Sequence, residues 1–100
     1  MVIWSKPAGD DLKAIYNYIK NDSKIYAEKV SNDIIDKSEL LTQFPEMGRK
    51  VPEVNENNIR EIFIYSYRMI YEVSGVDVNI LTLVHFAKDF KKSNIRKKKK

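Results

Sequence analysis

The sequence predicts an α+β fold of order β-α-α-β-β-β, a helical hairpin packed on a small antiparallel sheet. Three observations carry the prediction. Two stretches with helical apolar spacing fill the first half and are separated only by Asn21-Asp22-Ser23. After Asn58 the pattern changes to three apolar, β-rich segments, divided at Tyr65-Ser66 and at Gly75. A short β-prone run, Val2-Ile3-Trp4, precedes them all.

Each element has a local cause. Ser5 can cap a helix, and Pro7 suits a first helical turn. Ala8, Leu12, Ile15 and Ile19 then recur at helical spacing and define one apolar face. Asn21-Asp22-Ser23 breaks that helix and offers caps for the next. Ala27, Val30, Ile34, Leu41 and Phe44 mark a second helix from about Lys24 to Gln43, which Pro45 ends. So short a link makes the two helices an antiparallel hairpin.

The stretch Pro45 to Asn58, PEMGRKVPEVNENN, has no period of its own and reads as a long loop. A loop of that length is uncommon in a compact domain unless it has a function. Strands are expected at roughly Ile59–Tyr65, Tyr67–Ser74 and Asp77–Phe86. In the last of these both alternating sets are largely apolar: Val78, Ile80, Val84 and Phe86, against Leu81 and Leu83. That suits a central strand covered on part of both faces.

A chain of 100 residues is expected to form one domain. With 43% hydrophobic and 32% charged residues it has the composition of a globular protein. It has no cysteine, which removes disulfides and thiolate metal sites. A single histidine leaves no plausible zinc constellation, and the three dispersed glycines form no phosphate loop. No metal or other cofactor is expected. No apolar run approaches a membrane span, and the N-terminus lacks signal-peptide regions, so a cytoplasmic protein is expected.

The net charge of +4 is unevenly spread. From Lys88 onward eight basic residues face one acid, so that tail is +7 and the residues before it are −3. A domain over residues 1–90 and a flexible basic tail over 91–100 are expected. The tail reads either as a solvated terminus or as an arm for RNA, DNA or an acidic protein. Its lysines would add affinity without sequence specificity. Deleting Asn94–Lys100 is expected to leave folding unchanged.

Two arginines interrupt the strand segments, Arg60 and Arg68. Arg68 reads either as an exposed partner of Glu61 across the hairpin, or as a guanidinium held by a rigid sheet for a phosphate. Register decides: a two-residue turn at Tyr65-Ser66 sets Arg68 opposite Phe63, whereas a three-residue turn sets it opposite Ile64. His85 is either a strand-end histidine or a general acid or base. Glu53 is either a solvated loop carboxylate or a base beside Arg68. Tyr65, Tyr67 and Tyr71 read as core or rim residues, any exposed ring being able to stack on a nucleobase.

Several of these residues also fall into ordered motifs. Trp4-Ser5, Ala8, Asp11-Leu12, Ile15 and Tyr18-Ile19 come first. Pro45, Gly48-Arg49 and Val51-Pro52-Glu53 follow, then Ile59–Glu61, Tyr67–Val73 and Leu81–His85. In order and spacing, from about Ile3 to Asp89, they resemble the RelE/ParE superfamily of type II toxins. The resemblance implies a compact α+β fold and a cognate antitoxin that wraps the toxin, with operator DNA bound only through the antitoxin. It implies no membrane partner.

Two targets are implied by the two branches of the superfamily. ParE-like members poison DNA gyrase. RelE-like members cut mRNA in the ribosomal A site, with the 2′-hydroxyl as nucleophile and basic residues stabilising the phosphorane. On the second pattern Arg68 would stabilise charge, Glu53 or His85 would move protons, and Lys88 would hold phosphate. Arg49, Lys50, Arg60, Lys88, Lys91 and Lys92 are the candidates for contacting nucleic acid or a target surface. His85 to Asp89 resembles the ParE-like ending, with Lys88 where arginine is usual. The domain's −3 charge, against the dense basic character of strong mRNA cutters, favours the ParE-like reading, with the ribosome-dependent nuclease as the alternative.

Overall fold

The computed structural model describes residues 1–86. The tail expected over 91–100, together with Lys88, Lys91 and Lys92, lies outside the described residues. The elements are β1 (Val2–Trp4), α1 (Lys6–Lys20), α2 (Lys24–Leu40), β2 (Arg49–Lys50), β3 (Ile59–Ile64), β4 (Tyr67–Ser74) and β5 (Asp77–His85). The five strands form one sheet in the order β1-β5-β4-β3-β2. The helical hairpin covers one face of it.

The helices start where their caps lie. The Ser5 hydroxyl accepts from the Ala8 amide at 3.1 Å, and the Ser23 hydroxyl accepts from the Tyr26 amide at 3.1 Å. Such a cap contributes about 1 kcal/mol. The second helix stops at Leu40, short of the expected Gln43, and residues 41–43 continue as turns. Leu41 still reaches the core, so the apolar pattern ran on past the last helical residue.

The sheet is antiparallel from β2 to β5, but β1 runs parallel to β5, with Val2 beside Val78 and Trp4 beside Ile80. The chain reaches β5 through two helices and three strands, and that route returns it parallel to its start. The loop expected over 45–58 contains β2, a strand of two residues whose brevity leaves no alternating pattern to read. β5 is interior, between β1 and β4, while β4 is the middle strand. The β3–β4 link is the two-residue turn: Ile64 pairs with Tyr67, and Phe63 with Arg68. Tyr65 takes a left-handed φ of 54° there, a conformation few non-glycine residues adopt.

The main core lies between helices and sheet. Ala8, Ile15, Val30, Ile34 and Leu41 meet Ile62, Met69, Tyr71, Val78, Ile80 and Leu83. Trp4 donates its ring N–H to the Ser38 hydroxyl at 3.3 Å, joining β1 to α2. The register of β5 against β4 slips between Ile70 and Tyr71, whose partners are Thr82 and Ile80. This bulge is tied to the start of α1. Ser5 Oγ donates to the Leu81 carbonyl at 3.1 Å, and Asp11 accepts from Thr82 Oγ1 at 2.6 Å and from the Leu83 amide at 3.1 Å. The backbone groups loosened by the bulge are thereby satisfied.

Candidate functional site

Strand alternation sends every second residue of β3 and β4 away from the helices. On that face lie Ile59, Glu61 and Phe63 of β3, Arg68 and Ile70 of β4, and Val84 of β5, by register. The segment after β2 folds over this face. Its Val51 and Val54 join Ile59, Ile70 and Leu81 in a second, smaller core, with Val84 packed against it. That packing brings Glu53 down onto the strand that carries Arg68.

The result is a chain of four charged groups. Arg68 is 6% exposed. Its Nη1 and Nη2 donate to the two oxygens of Glu53 at 2.9 and 2.8 Å, a bidentate pair. Its Nε donates to Glu61 Oε1 at 2.7 Å, and Nη2 lies 2.6 Å from the same oxygen. The Glu61 side chain is fully buried, and its other oxygen accepts from Arg49 Nε at 2.6 Å. Arg49 is largely exposed and lies over the Phe63 ring, 5.4 Å from its centroid.

Both expected partners of Arg68 are therefore real. Glu61 pairs with it across the hairpin, though at a buried position instead of an exposed one. Glu53 is beside it, not loose in solvent. The hydrogen bonds that Arg68 donates to Glu53, followed by those it donates to Glu61, raise its pKa against the effect of burial. In return Arg68 holds the Glu53 carboxyl below its ordinary value of 4.5.

A pH dependence follows with a fixed sign. A carboxyl whose folded pKa is depressed stabilises the fold above its unfolded pKa and loses that contribution as pH falls through the folded one. Glu53→Gln is therefore expected to lower Tm at neutral pH, and the gap to wild type should close as pH falls through and below the ordinary carboxyl range. Thermal melts across that range check it. A gap that stays constant would mean the Glu53–Arg68 pair does not hold in solution.

His85 does not join this group. It pairs with Tyr67, whose ring packs on the helix-side core, while Val84 is the residue that faces Arg68. Its ring meets Tyr67 edge-on at 5.8 Å and stacks on Phe86 at 5.2 Å. Arg68 and Glu53 are thus assembled on one face, and His85 sits on the other.

Arg60 and Lys50 pair with each other and also lie off the Arg68 face. Arg60 donates to the Gly48 carbonyl at 2.8 Å and lies 3.9 Å from Glu46, a structural role at the rim. Lys50 is exposed. Among the described residues no group of three or more His, Cys, Asp or Glu side chains could hold a metal ion. No described helix is long and apolar enough to cross a membrane.

A site element that the sequence reading did not single out is the Gly48–Tyr71 contact. The Gly48 amide donates to the buried Tyr71 hydroxyl at 2.9 Å, and that hydroxyl donates to the Pro45 carbonyl at 2.8 Å. This anchors the turn that leads into β2, and with it Arg49. The only signals were a glycine before Arg49 and a tyrosine on the core-facing parity of β4.

Comparisons bear on what this arrangement belongs to. A family model described as the ParE toxin of the type II toxin–antitoxin system parDE matches residues 2–90. Among solved structures, one described as the chromosomal ParDE TA system from P. aeruginosa is similar, with a TM-score of 0.70 and 24% identity. The match covers 84% of this chain and 92% of that one. At that identity the likeness speaks for the fold. No curated protein matches the chain.

Proposed function

We propose, from the premise that the chain belongs to the ParE toxin family of type II toxin–antitoxin systems, that it inhibits growth by binding DNA gyrase and is neutralised by a cognate antitoxin. The observation that carries the gyrase reading is the occupancy of Arg68. An mRNA-cutting site needs cationic groups free to meet a developing phosphorane. Here both sides of the guanidinium fork are taken by carboxylates, Glu53 and Glu61. A phosphate could reach it only by displacing Glu53. The proton-handling candidate His85 lies across the sheet from that pair, and the domain before Lys88 is net acidic.

The antitoxin reading rests on the family and on exposed surface. Tyr18 and Ile25 of the helical hairpin are largely exposed, and both edge strands are short. Apolar helix surface and open strand edges can accept an amphipathic helix or an added strand.

The test uses purified toxin, freed of antitoxin, in parallel gyrase supercoiling and cell-free translation reactions. Inhibited or trapped gyrase with intact mRNA is the expected result. Codon-phased mRNA ends mapped by primer extension, with unaffected gyrase, would overturn the proposal in favour of a ribosome-dependent nuclease.

A further inference from the structure

β2 is shorter than the strand it pairs with, and its end leaves part of β3 uncovered. It meets β3 at two positions, Arg49 with Glu61 and Lys50 with Arg60. One residue before Arg49 the chain is drawn aside. The Gly48 amide donates to the Tyr71 hydroxyl at 2.9 Å, and its carbonyl accepts from Arg60 at 2.8 Å. On the far side of β2, the Val51 amide donates to the Ile59 carbonyl at 3.1 Å, which sets the parity of the ladder. Ile59, Glu61 and Phe63 direct their backbone groups toward β2, and Arg60, Ile62 and Ile64 direct theirs toward β4. Among the described residues none pairs with Phe63 from the β2 side. Its amide and carbonyl therefore stand on an open sheet edge.

Where the two chains part they leave a groove of about 260 Å³. Met47 and Gly48 line it from one chain and Ile62 and Phe63 from the other, together with Arg49 and with Lys37 of α2. It is smaller than a small-molecule site, about 300–1,000 Å³, and suits a single anchoring side chain. Phe63 is 49% exposed. Arg49 gives its Nε to Glu61 and its flat face to the Phe63 ring. Its Nη groups and the Lys37 ammonium have no hydrogen-bond partner among the described residues. The charges of Arg68, Glu53, Glu61 and Arg49 cancel, so Lys37 leaves a local positive excess beside the groove.

We infer that this groove takes an extended acidic segment of a partner protein. The segment pairs with Phe63 along the open edge, sets a carboxylate on the Nη groups of Arg49, and lays an apolar side chain against Met47 and Ile62. A carboxylate matches the planar guanidinium edge. Phe63 and Arg49 share the Arg68 face, whereas Ile62 belongs to the helix-side core. Neighbouring residues of an added strand meet those two faces in turn, so the segment recognised alternates acidic and apolar residues. A nucleic-acid backbone fits less well, because a row of phosphates calls for a row of cations and only Arg49 and Lys37 line the groove. The inference goes beyond the gyrase reading and does not depend on it.

The experiment is a nitrogen-15 NMR titration of the full chain with the blocked peptide Ser-Leu-Glu-Leu-Glu-Leu-Ser. The same peptide with serine for leucine, the same with lysine for glutamate, and a single-stranded oligonucleotide of about twelve nucleotides serve as comparisons. Saturable shifts centred on the Phe63 amide and the Arg49 side chain are expected. In the free protein the Phe63 amide should exchange with solvent faster than those of Ile62 and Ile64, and at saturation it should slow about ten-fold or more. Arg49→Lys keeps a cation for Glu61 but loses the fork, and should weaken binding about five-fold or more. Phe63→Thr, which keeps a strand-forming residue at an exposed position, should do the same. Both should melt within about 4 °C of wild type, which separates lost binding from lost folding. Shifts that avoid Phe63, equal binding of either altered peptide, binding of the oligonucleotide in place of the peptide, or no saturation by about 1 mM would each overturn the proposal.

Discussion

Arg68→Ala is expected to cost about 3–5 kcal/mol of folding stability, lowering Tm by roughly 12 °C or more in a domain of this size. The reason is what it leaves behind. The Glu61 side chain is fully buried, and without Arg68 its remaining charged partner is Arg49, whose own side chain is 62% exposed. A buried carboxylate paired on one side with a solvent-mobile arginine pays most of its desolvation cost without compensation. Replacing both members should restore much of the loss: Arg68→Met combined with Glu61→Met removes the stranded charge and fills the space with apolar side chains. Melts of the two single variants and the double form a cycle that isolates the coupling. If Arg68→Ala melts within about 4 °C of wild type, a shift that corresponds to about 1 kcal/mol or less, the quartet is not a buried ionic structure. The same variant is consequently a poor probe of nuclease activity on its own, since lost cleavage and lost folding would look alike.

Gly48→Ala is the second large effect. A Cβ built on Gly48 would stand 2.4 Å from the Glu61 carbonyl oxygen and 2.6 Å from the Tyr71 hydroxyl. The first is backbone in a paired strand and the second is a fully buried ring, so neither can move away cheaply. The substitution is expected to cost about 3 kcal/mol or more, the upper range for overpacking, and to expose the 45–58 segment to protease. Tyr71→Phe should be milder, about 1–3 kcal/mol, because it creates no clash and only orphans the Gly48 amide and the Pro45 carbonyl. The two variants are ranked by limited proteolysis and thermal melts. If Gly48→Ala proves as stable as wild type, the approach of β2 to β3 is looser than the geometry requires.

The sequence was most informative where local chemistry acts alone. Ser5, Pro7 and Ser23 mark both helix starts, and β4 runs over the expected Tyr67–Ser74. Periodicity overshot at Leu41, because a residue just past a helix can still face the core. The quartet was half legible. Glu61 and Glu53 were both candidate partners for Arg68, but burial could not be read, since covering Arg68 depends on Val51 and Val54 folding back from a segment with no pattern. The face of His85 was set by the turn length at Tyr65-Ser66 and by the slip in β5, and a slip of one residue is invisible in a string of apolar positions. The parallel placement of β1 left no local trace at all.

That parallel pair has a consequence for how the chain is made. Ser5, at the junction of β1 and α1, bonds to Leu81, 76 residues later in sequence. A ribosome delivers the helical hairpin first, yet the strand between β1 and β4 emerges last. Until β5 is out, β1 has no neighbour in the sheet and the bulge that Asp11 satisfies does not exist. Contacts of such long range are slow to form, because the loop must close before anything is gained from it. The growing polypeptide therefore spends most of its synthesis as an unfinished nascent chain with its future core uncovered, open in that interval to any surface that can cover it.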